Sequence, residues 1–112
     1  MLDAILKPRA IAVVGASRSP TTIGYQILDN LLRSGFQGPL FPVNPKATVI
    51  HSLRAYPSVT AIPDPVDLAV IVVPKQHVLA AAEECGQAGV KGLVVISAGF
   101  AEVGGEGVER ER

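Results

Sequence analysis

Three short runs of mainly aliphatic residues constrain the fold of this chain more than any other feature of its sequence. They cover residues 11–14, 68–73 and 92–97, and none of them alternates apolar with polar side chains. A strand with one face in water shows such alternation, whereas a strand covered on both faces does not. The runs therefore predict parallel strands in a sheet that has helices on both sides.

Helical patterns and a further strand lie between these runs. Apolar residues recur at helical spacing over residues 23–32 and again over residues 76–88, and each pattern ends at a glycine. A fourth strand is predicted at residues 39–43, where prolines favour an edge position, with a weak pairing around residues 49–50. Alternating strands and helices predict one Rossmann-like, doubly wound α/β domain over residues 1–112 with right-handed crossovers.

Composition and charge limit the partners of the chain. With 48% hydrophobic and 18% charged residues it is not a disordered chain, and ten basic against ten acidic side chains leave no broad charged surface for nucleic acid. No apolar run approaches the roughly 18 residues that span a bilayer, and no signal peptide opens the sequence. We expect a cytoplasmic protein without nucleic-acid or membrane partners, although an exposed sheet edge would permit a homo-oligomer.

Residue types that carry catalysis are few and lack the neighbours they need. Cys85 is the single cysteine, which excludes an intramolecular disulfide, and without an activating partner it is expected to be a packing thiol. His51 and His77 have no nearby carboxylate and nucleophile in sequence, so surface or packing roles are expected. No serine triad, Walker A loop or metal-binding cluster is recognisable, and the sequence predicts no catalytic residue and no metal site.

The first predicted strand leads through a glycine turn into the first helix. Gly15, Ala16, Ser17 and Arg18 follow the strand directly, Pro20 lies in the loop after them, and Gly24 lies where the helix begins. These six residues are candidate binding residues. Such a turn presents backbone N–H groups and the positive end of the helix dipole to a phosphate. Ser17 would add a hydroxyl donor and Arg18 a paired contact, although Arg18 could equally be a solvated loop charge. The turn predicts a phosphate-rich nucleotide ligand.

The loops after the other strands should meet this turn, because the carboxyl ends of parallel strands lie at one edge of a sheet. Lys46 stands where a fold that holds NAD usually has a carboxylate, which favours a ligand other than NAD; a surface lysine is the alternative. Pro74 could simply end a strand and Phe100 could simply fill the core. The candidate binding residues in these loops are Val43, Asn44, Pro45, Lys46, Val73, Pro74, Ser97, Gly99 and Phe100.

Four blocks of this sequence, in this order, resemble the N-terminal CoA-binding domain of NDP-forming acyl-CoA synthetases, relatives of the succinyl-CoA synthetase α subunit. The same domain heads bacterial protein lysine acetyltransferases. The similarity covers essentially the whole chain, and the blocks are residues 6–17, 41–46, 66–74 and 95–100.

The resemblance implies coenzyme A or an acyl-CoA as the ligand. At the phosphates of the ligand the implied contacts are Gly15, Ser17 and Arg18, and at the adenosine and its 3′-phosphate they are Val43, Asn44 and Lys46. Val73 and Pro74 would line the middle of the binding channel. The thiol end of the channel would be formed by Ser97, Gly99 and Phe100. One departure is visible, because the family's loop commonly has glycine and lysine after the proline, whereas Pro20 is followed by Thr21 and Thr22. The chain lacks the lysine that would make one phosphate contact; the threonine hydroxyls could replace that contact, and Thr22 is also a candidate helix cap.

The resemblance also implies a function for the parent protein. This domain would position the CoA thiol in an ADP-forming acyl-CoA synthetase of the acetate–CoA ligase type. The phosphohistidine domain and the ATP-grasp domain, which bring ATP, ADP and Mg, have no match here. We therefore expect a fragment of a larger multidomain protein that is inactive alone.

Two alternatives to the synthetase module stay open at this point. The domain could be the CoA-sensing regulatory part of a protein lysine acetyltransferase. It could also bind NADP with Lys46 at the 2′-phosphate, which the absence of Gly-x-Gly-x-x-Gly after the first strand disfavours.

Overall fold

The computed structural model describes residues 8–96 of the chain. Strands and helices alternate as the apolar runs predict, with a small hairpin and two single turns of 3-10 helix between them. In chain order the elements are β1 (Ile11–Val14), α1 (Ile23–Arg33), β2 (Leu40–Val43), β3 (Val49–Ile50), β4 (Leu53–Arg54), a 3-10 turn (Val59–Ala61), β5 (Leu68–Ile71), a 3-10 turn (Lys75–His77), α2 (Val78–Gln87) and β6 (Gly92–Val95).

Four of the strands form one parallel sheet in the order β2-β1-β5-β6. Ile11 of β1 is level with Leu40 on one side and with Leu68 on the other, and Leu68 is level with Gly92. The chain leaves β1 toward β2 and later returns to the other side of β1 as β5. The strand order therefore reverses between β1 and β5, and the doubly wound parallel fold and the edge position of β2 are both confirmed.

The two helices cover opposite faces of this sheet. Successive side chains of a strand point to opposite faces, so each central strand contributes to two cores. Val13 and Val70 pack with Leu28 of α1, while Ala12 and Ile71 pack with Cys85 of α2. Burial on both faces is the physical reason that the runs of β1 and β5 carry no polar alternation. The same expectation is wrong for the run of β6, which is the other edge strand and leaves Leu93 39% exposed.

A local capping signal accounts for the start of α1. The Thr22 hydroxyl accepts a hydrogen bond from the backbone N–H of Tyr25 at 3.3 Å, which confirms Thr22 as the cap of α1. Three sequence-based boundaries differ by two residues. β5 ends at Ile71 instead of residue 73, and β6 ends at Val95 instead of residue 97. Helix α2 begins at Val78 instead of residue 76, after the 3-10 turn that follows Pro74. The weak pairing at residues 49–50 is confirmed as a hairpin with β4.

A buried carboxylate joins the strand beginnings at the amino-terminal edge of the sheet. Asp67 is 6% exposed, and its Oδ2 accepts hydrogen bonds from the Arg9 backbone N at 2.9 Å and from Arg9 Nε at 3.2 Å. Lys91 Nζ lies 3.8 Å from the other carboxylate oxygen. The backbone and side-chain hydrogen bonds from Arg9 lower the pKa of Asp67 below its ordinary value.

We expect Asp67 to make the free energy of unfolding depend on pH in the acid range. Because its pKa is lower in the folded chain, its contribution is fully present above the unfolded-state pKa of about 4 and is lost as the pH falls through the folded-state value. Asp67→Asn should therefore be less stable at pH 7 and should have a shallower loss of stability below pH of about 4. Urea unfolding at a series of pH values measures both effects.

The matched control is Asp64→Asn, which changes an exposed carboxylate in the preceding loop. This variant should keep both the stability at pH 7 and the acid dependence of the parent chain. Equal losses in the two variants would contradict a specific role for Asp67.

Candidate functional site

The candidate site is built around the turn that follows β1. Gly15 has a φ of +97°, and its N–H donates to the Val43 carbonyl at 3.1 Å. A Cβ at Gly15 would lie 1.9 Å from the Val72 carbonyl oxygen, in the loop after β5. The turn is therefore pressed between the ends of β2 and β5, where the strand order reverses and where open α/β sheets bind their ligands.

A second glycine brings helix α1 onto this turn. Gly24 is buried, and a Cβ there would lie 2.2 Å from the Gly15 carbonyl oxygen. Both glycines thus make close approaches to neighbouring backbone, and the consequence is that the N-terminus of α1 lies at the carboxyl edge of the sheet. Free N–H groups of the first helical turn face an anion in such an arrangement.

Hydroxyl groups shape the loop between the turn and α1. The Ser17 Oγ accepts a hydrogen bond from the Ser19 N–H at 3.0 Å, which leaves the Ser17 hydroxyl hydrogen free to donate. Thr22 Oγ1 donates to the Ser19 carbonyl at 2.8 Å and also caps α1, so its hydroxyl is already engaged within the loop. Arg18 and Pro20 are exposed in this loop.

Asn44 connects the loop after β2 to the loop after β1. Its Nδ2 donates to the Ala16 carbonyl at 2.8 Å, and its Oδ1 accepts from the N–H groups of Lys46 at 2.7 Å and Ala47 at 3.0 Å. Its backbone N–H donates to the Tyr56 carbonyl at 2.9 Å. The two loops predicted to hold the ligand therefore lie against each other, as the predicted parallel sheet requires.

The predicted site residues do not all present side chains at this edge. Arg18, Pro45, Lys46 and Pro74 are exposed there, and Val73 is half-buried. Within the part of the chain that the structure describes, neither Arg18 nor Lys46 has an ion-pair partner. Two other predicted site residues have side chains in the core, where Ala16 is 1% exposed and Val43 is 4% exposed. Their backbone carbonyls accept the hydrogen bonds from Asn44 and Gly15 described above. Ser97, Gly99 and Phe100 lie outside the described residues.

Tyr56 was not singled out from the sequence, and the structure places it beside β2. Its N–H donates to the Pro42 carbonyl at 2.9 Å, and its carbonyl accepts from Asn44. The Arg54 guanidinium carbon lies 5.7 Å from the centre of the Tyr56 ring. No local signal could have found this contact, because residue 56 approaches β2 only after the chain has passed through the β3–β4 hairpin.

The thiol of Cys85 and the imidazole of His51 lie in packed surroundings, and His77 is exposed. Cys85 is fully buried, and burial raises the pKa of its thiol to about 11, which fits the expected packing role. The His51 ring stacks on Tyr25 with ring centres 4.5 Å apart, and its Nε2 lies 3.3 Å from Asp29 Oδ1. Among residues 8–96 no group of three or more acidic, histidine or cysteine side chains could hold a metal ion, and no helix there could cross a bilayer.

Comparison with known proteins points to one family. Residues 9–110 match the family described as CoA binding domain. The chain is 48% identical over 105 residues to the ADP-forming acetate–CoA ligase II of Archaeoglobus fulgidus, covering 94% of this chain and 16% of that protein. It is 47% identical over 115 residues to subunit alpha of the ADP-forming acetate–CoA ligase I of Pyrococcus furiosus, covering 99% and 25%.

Solved structures agree with these relatives. The dinucleotide-forming acetyl-coenzyme A synthetase 1 of Ca. Korarchaeum cryptofilum, in complex with phosphate and ADP, superposes with a TM-score of 0.85 at 52% identity, covering 99% of this chain and 24% of that one. A Pyrococcus horikoshii structure superposes with a TM-score of 0.83 at 46% identity, covering 98% and 25%. The chain thus spans a quarter or less of the length of these relatives.

Proposed function

The chain belongs to the family of CoA binding domains, and from that premise we propose that it binds coenzyme A or an acyl-CoA at the carboxyl edge of its sheet. The observation that carries the proposal is the contact of the Gly15 turn, which lies where the strand order reverses, with the loop of Lys46 beside it. A ligand that crosses this point would meet the N-terminus of α1 and the Lys46 side chain together.

The charge distribution supports an anionic ligand of this kind. The chain has a formal net charge of +0, so attraction to phosphates must come from local groups. The turn would offer a pyrophosphate its backbone N–H groups, the Arg18 side chain and the Ser17 hydroxyl, whose hydrogen has no acceptor among the described residues. Lys46, on the neighbouring loop, would then face the 3′-phosphate of the ribose.

We further propose a role for this domain in a longer protein. Several relatives are ADP-forming acid–CoA ligases, and this chain corresponds to only a small part of each of them. In such a parent the domain would hold the CoA thiol for acyl transfer. Other domains or subunits would supply ATP, ADP, Mg and the phosphorylated group, and residues 1–112 alone should catalyse nothing.

A ligand panel tests the binding proposal. Thermal unfolding and calorimetry with CoA, dephospho-CoA, NAD and NADP at equal ionic strength should show the largest stabilisation with CoA. A ligand that binds only the folded state at one hundred times its Kd adds about 2.7 kcal/mol of stability. A larger shift with NADP would favour the dinucleotide alternative, and no shift with any of the four would overturn the proposed site.

A further inference from the structure

The Asn44 side chain is committed to contacts inside the protein. An asparagine amide offers two acceptor positions on its oxygen and two hydrogens on its nitrogen. Both acceptor positions of Asn44 are used by the N–H groups of Lys46 and Ala47, and one hydrogen is used by the Ala16 carbonyl. The orientation of the amide is therefore determined, because two donors face its oxygen and an acceptor faces its nitrogen.

This arrangement joins the two halves of the candidate site. Ala16 belongs to the turn after β1, and Lys46 belongs to the loop after β2. The Lys46 backbone N–H is held by Asn44, whereas the Lys46 side chain is exposed and without an ion-pair partner in the described residues. Asn44 thus sets where the lysine leaves the main chain relative to the Gly15 turn.

We propose that Asn44 is a positioning residue that holds Lys46 in register with the phosphate-binding turn and thereby determines the preference for CoA over dephospho-CoA. This inference rests on the proposed function, in which Lys46 faces the 3′-phosphate. A loop already held in its binding geometry loses less conformational entropy when the ligand binds, so the contact from Lys46 contributes more of its energy to affinity.

Two substitutions at Asn44 distinguish its bonds to the N–H groups of Lys46 and Ala47 from its bond to the Ala16 carbonyl. Asn44→Ala removes all three side-chain hydrogen bonds. Asn44→Ser retains a short acceptor for the N–H groups that follow it, but its hydroxyl is too short to replace the bond to the Ala16 carbonyl. The serine variant should therefore have an intermediate preference for CoA.

A double-mutant cycle with Lys46 tests the inference in the full chain. Kd is measured by calorimetry for CoA and for dephospho-CoA in the parent chain, Asn44→Ala, Asn44→Ser, Lys46→Ala and the double alanine variant. Asn44→Ala should reduce the preference for CoA by about three- to ten-fold, which is the range of one net hydrogen bond. In the Lys46→Ala background the same substitution should leave the preference unchanged.

Controls distinguish positioning from general destabilisation and from direct contact. Asn30→Ala changes an exposed amide on α1 and should alter neither Kd. Equal weakening of both ligands by Asn44→Ala would overturn the inference, as would an effect on preference that persists without Lys46. If Asn44→Ala does not fold, Asn44→Ser decides, and an unchanged preference in that variant overturns the inference. Failure of the parent chain to bind either ligand would instead overturn the proposed function.

Discussion

Gly15→Ala should destabilise the folded chain by roughly 3 kcal/mol or more, the largest stability loss that the structure predicts for a single methyl group. Two costs combine at this position. The backbone has a φ of +97°, which an L side chain rarely adopts, and the new Cβ would lie 1.9 Å from the Val72 carbonyl oxygen. Val72 is held in place because its N–H donates to the Val14 carbonyl at 2.7 Å, so relief of the clash requires the β1–β5 pairing to move.

Other glycines of the chain separate these two costs. Gly24→Ala introduces a clash of 2.2 Å with the Gly15 carbonyl oxygen, at a position where no positive φ is recorded. Gly35 has a positive φ of +87°, and a new Cβ there would have no atom within 4 Å. Gly35→Ala should therefore lower the stability by about 1–2 kcal/mol through the backbone conformation alone. Gly86→Ala, inside α2 with nothing within 4 Å, should stabilise the chain by about 0.5–1 kcal/mol.

Urea unfolding of the four variants measures the series. We expect the greatest loss for Gly15→Ala, a smaller loss for Gly24→Ala, a still smaller one for Gly35→Ala and a gain for Gly86→Ala. If Gly15→Ala were no more costly than Gly35→Ala, the carbonyl of Val72 would have moved aside, and the close approach of the two loops would not be a constraint on the site.

Lys46→Ala should weaken CoA binding by roughly ten- to one-hundred-fold, because a charge-assisted bond to phosphate contributes about 1.5–3 kcal/mol. Dephospho-CoA, which lacks the 3′-phosphate, should bind the variant and the parent chain with similar Kd. The difference between the two chains should also shrink as salt is added, because Lys46 is exposed to solvent. Calorimetric titration of both ligands at two ionic strengths measures these effects.

The control for this substitution is Lys91→Ala. Lys91 lies beside Asp67 at the opposite edge of the sheet, so its loss removes the same charge at a distance from the candidate site. This variant should bind CoA like the parent chain. An equal loss of affinity for CoA and dephospho-CoA in Lys46→Ala would place the lysine at the pyrophosphate, and an unchanged Kd would remove it from the site.

Much of the fold was predictable because the signals for it are local. The limits of β1 and the cap of α1 at Thr22 follow from residues only a few positions apart. The end of β5 and the start of α2 were displaced by a few residues, since Pro74 introduces a 3-10 turn between them. Edge pairing of β2 was also predictable, because proline lacks the N–H that a central strand needs.

The candidate site was predictable as a set of loops but not as a set of contacts. Lys46 and Arg18 are exposed, as binding residues need to be, yet Val43 and Ala16 point into the core. The resemblance placed Asn44 near the ligand. In the structure its side-chain amide donates a hydrogen bond to the carbonyl of Ala16, which lies 28 residues earlier in the chain. Such a bond leaves no periodic signal in the sequence.

The sequence alone determined the class of fold, the succession of strands and helices and the edge at which the loops gather, because apolar periodicity, capping and turn chemistry depend on neighbours along the chain. Only the tertiary structure decided that Gly15 faces the Val72 carbonyl and that Asn44 links the two loops. Those contacts arise from the spacing between packed strands and from hydrogen bonds across that spacing, and both exist only once the sheet has formed.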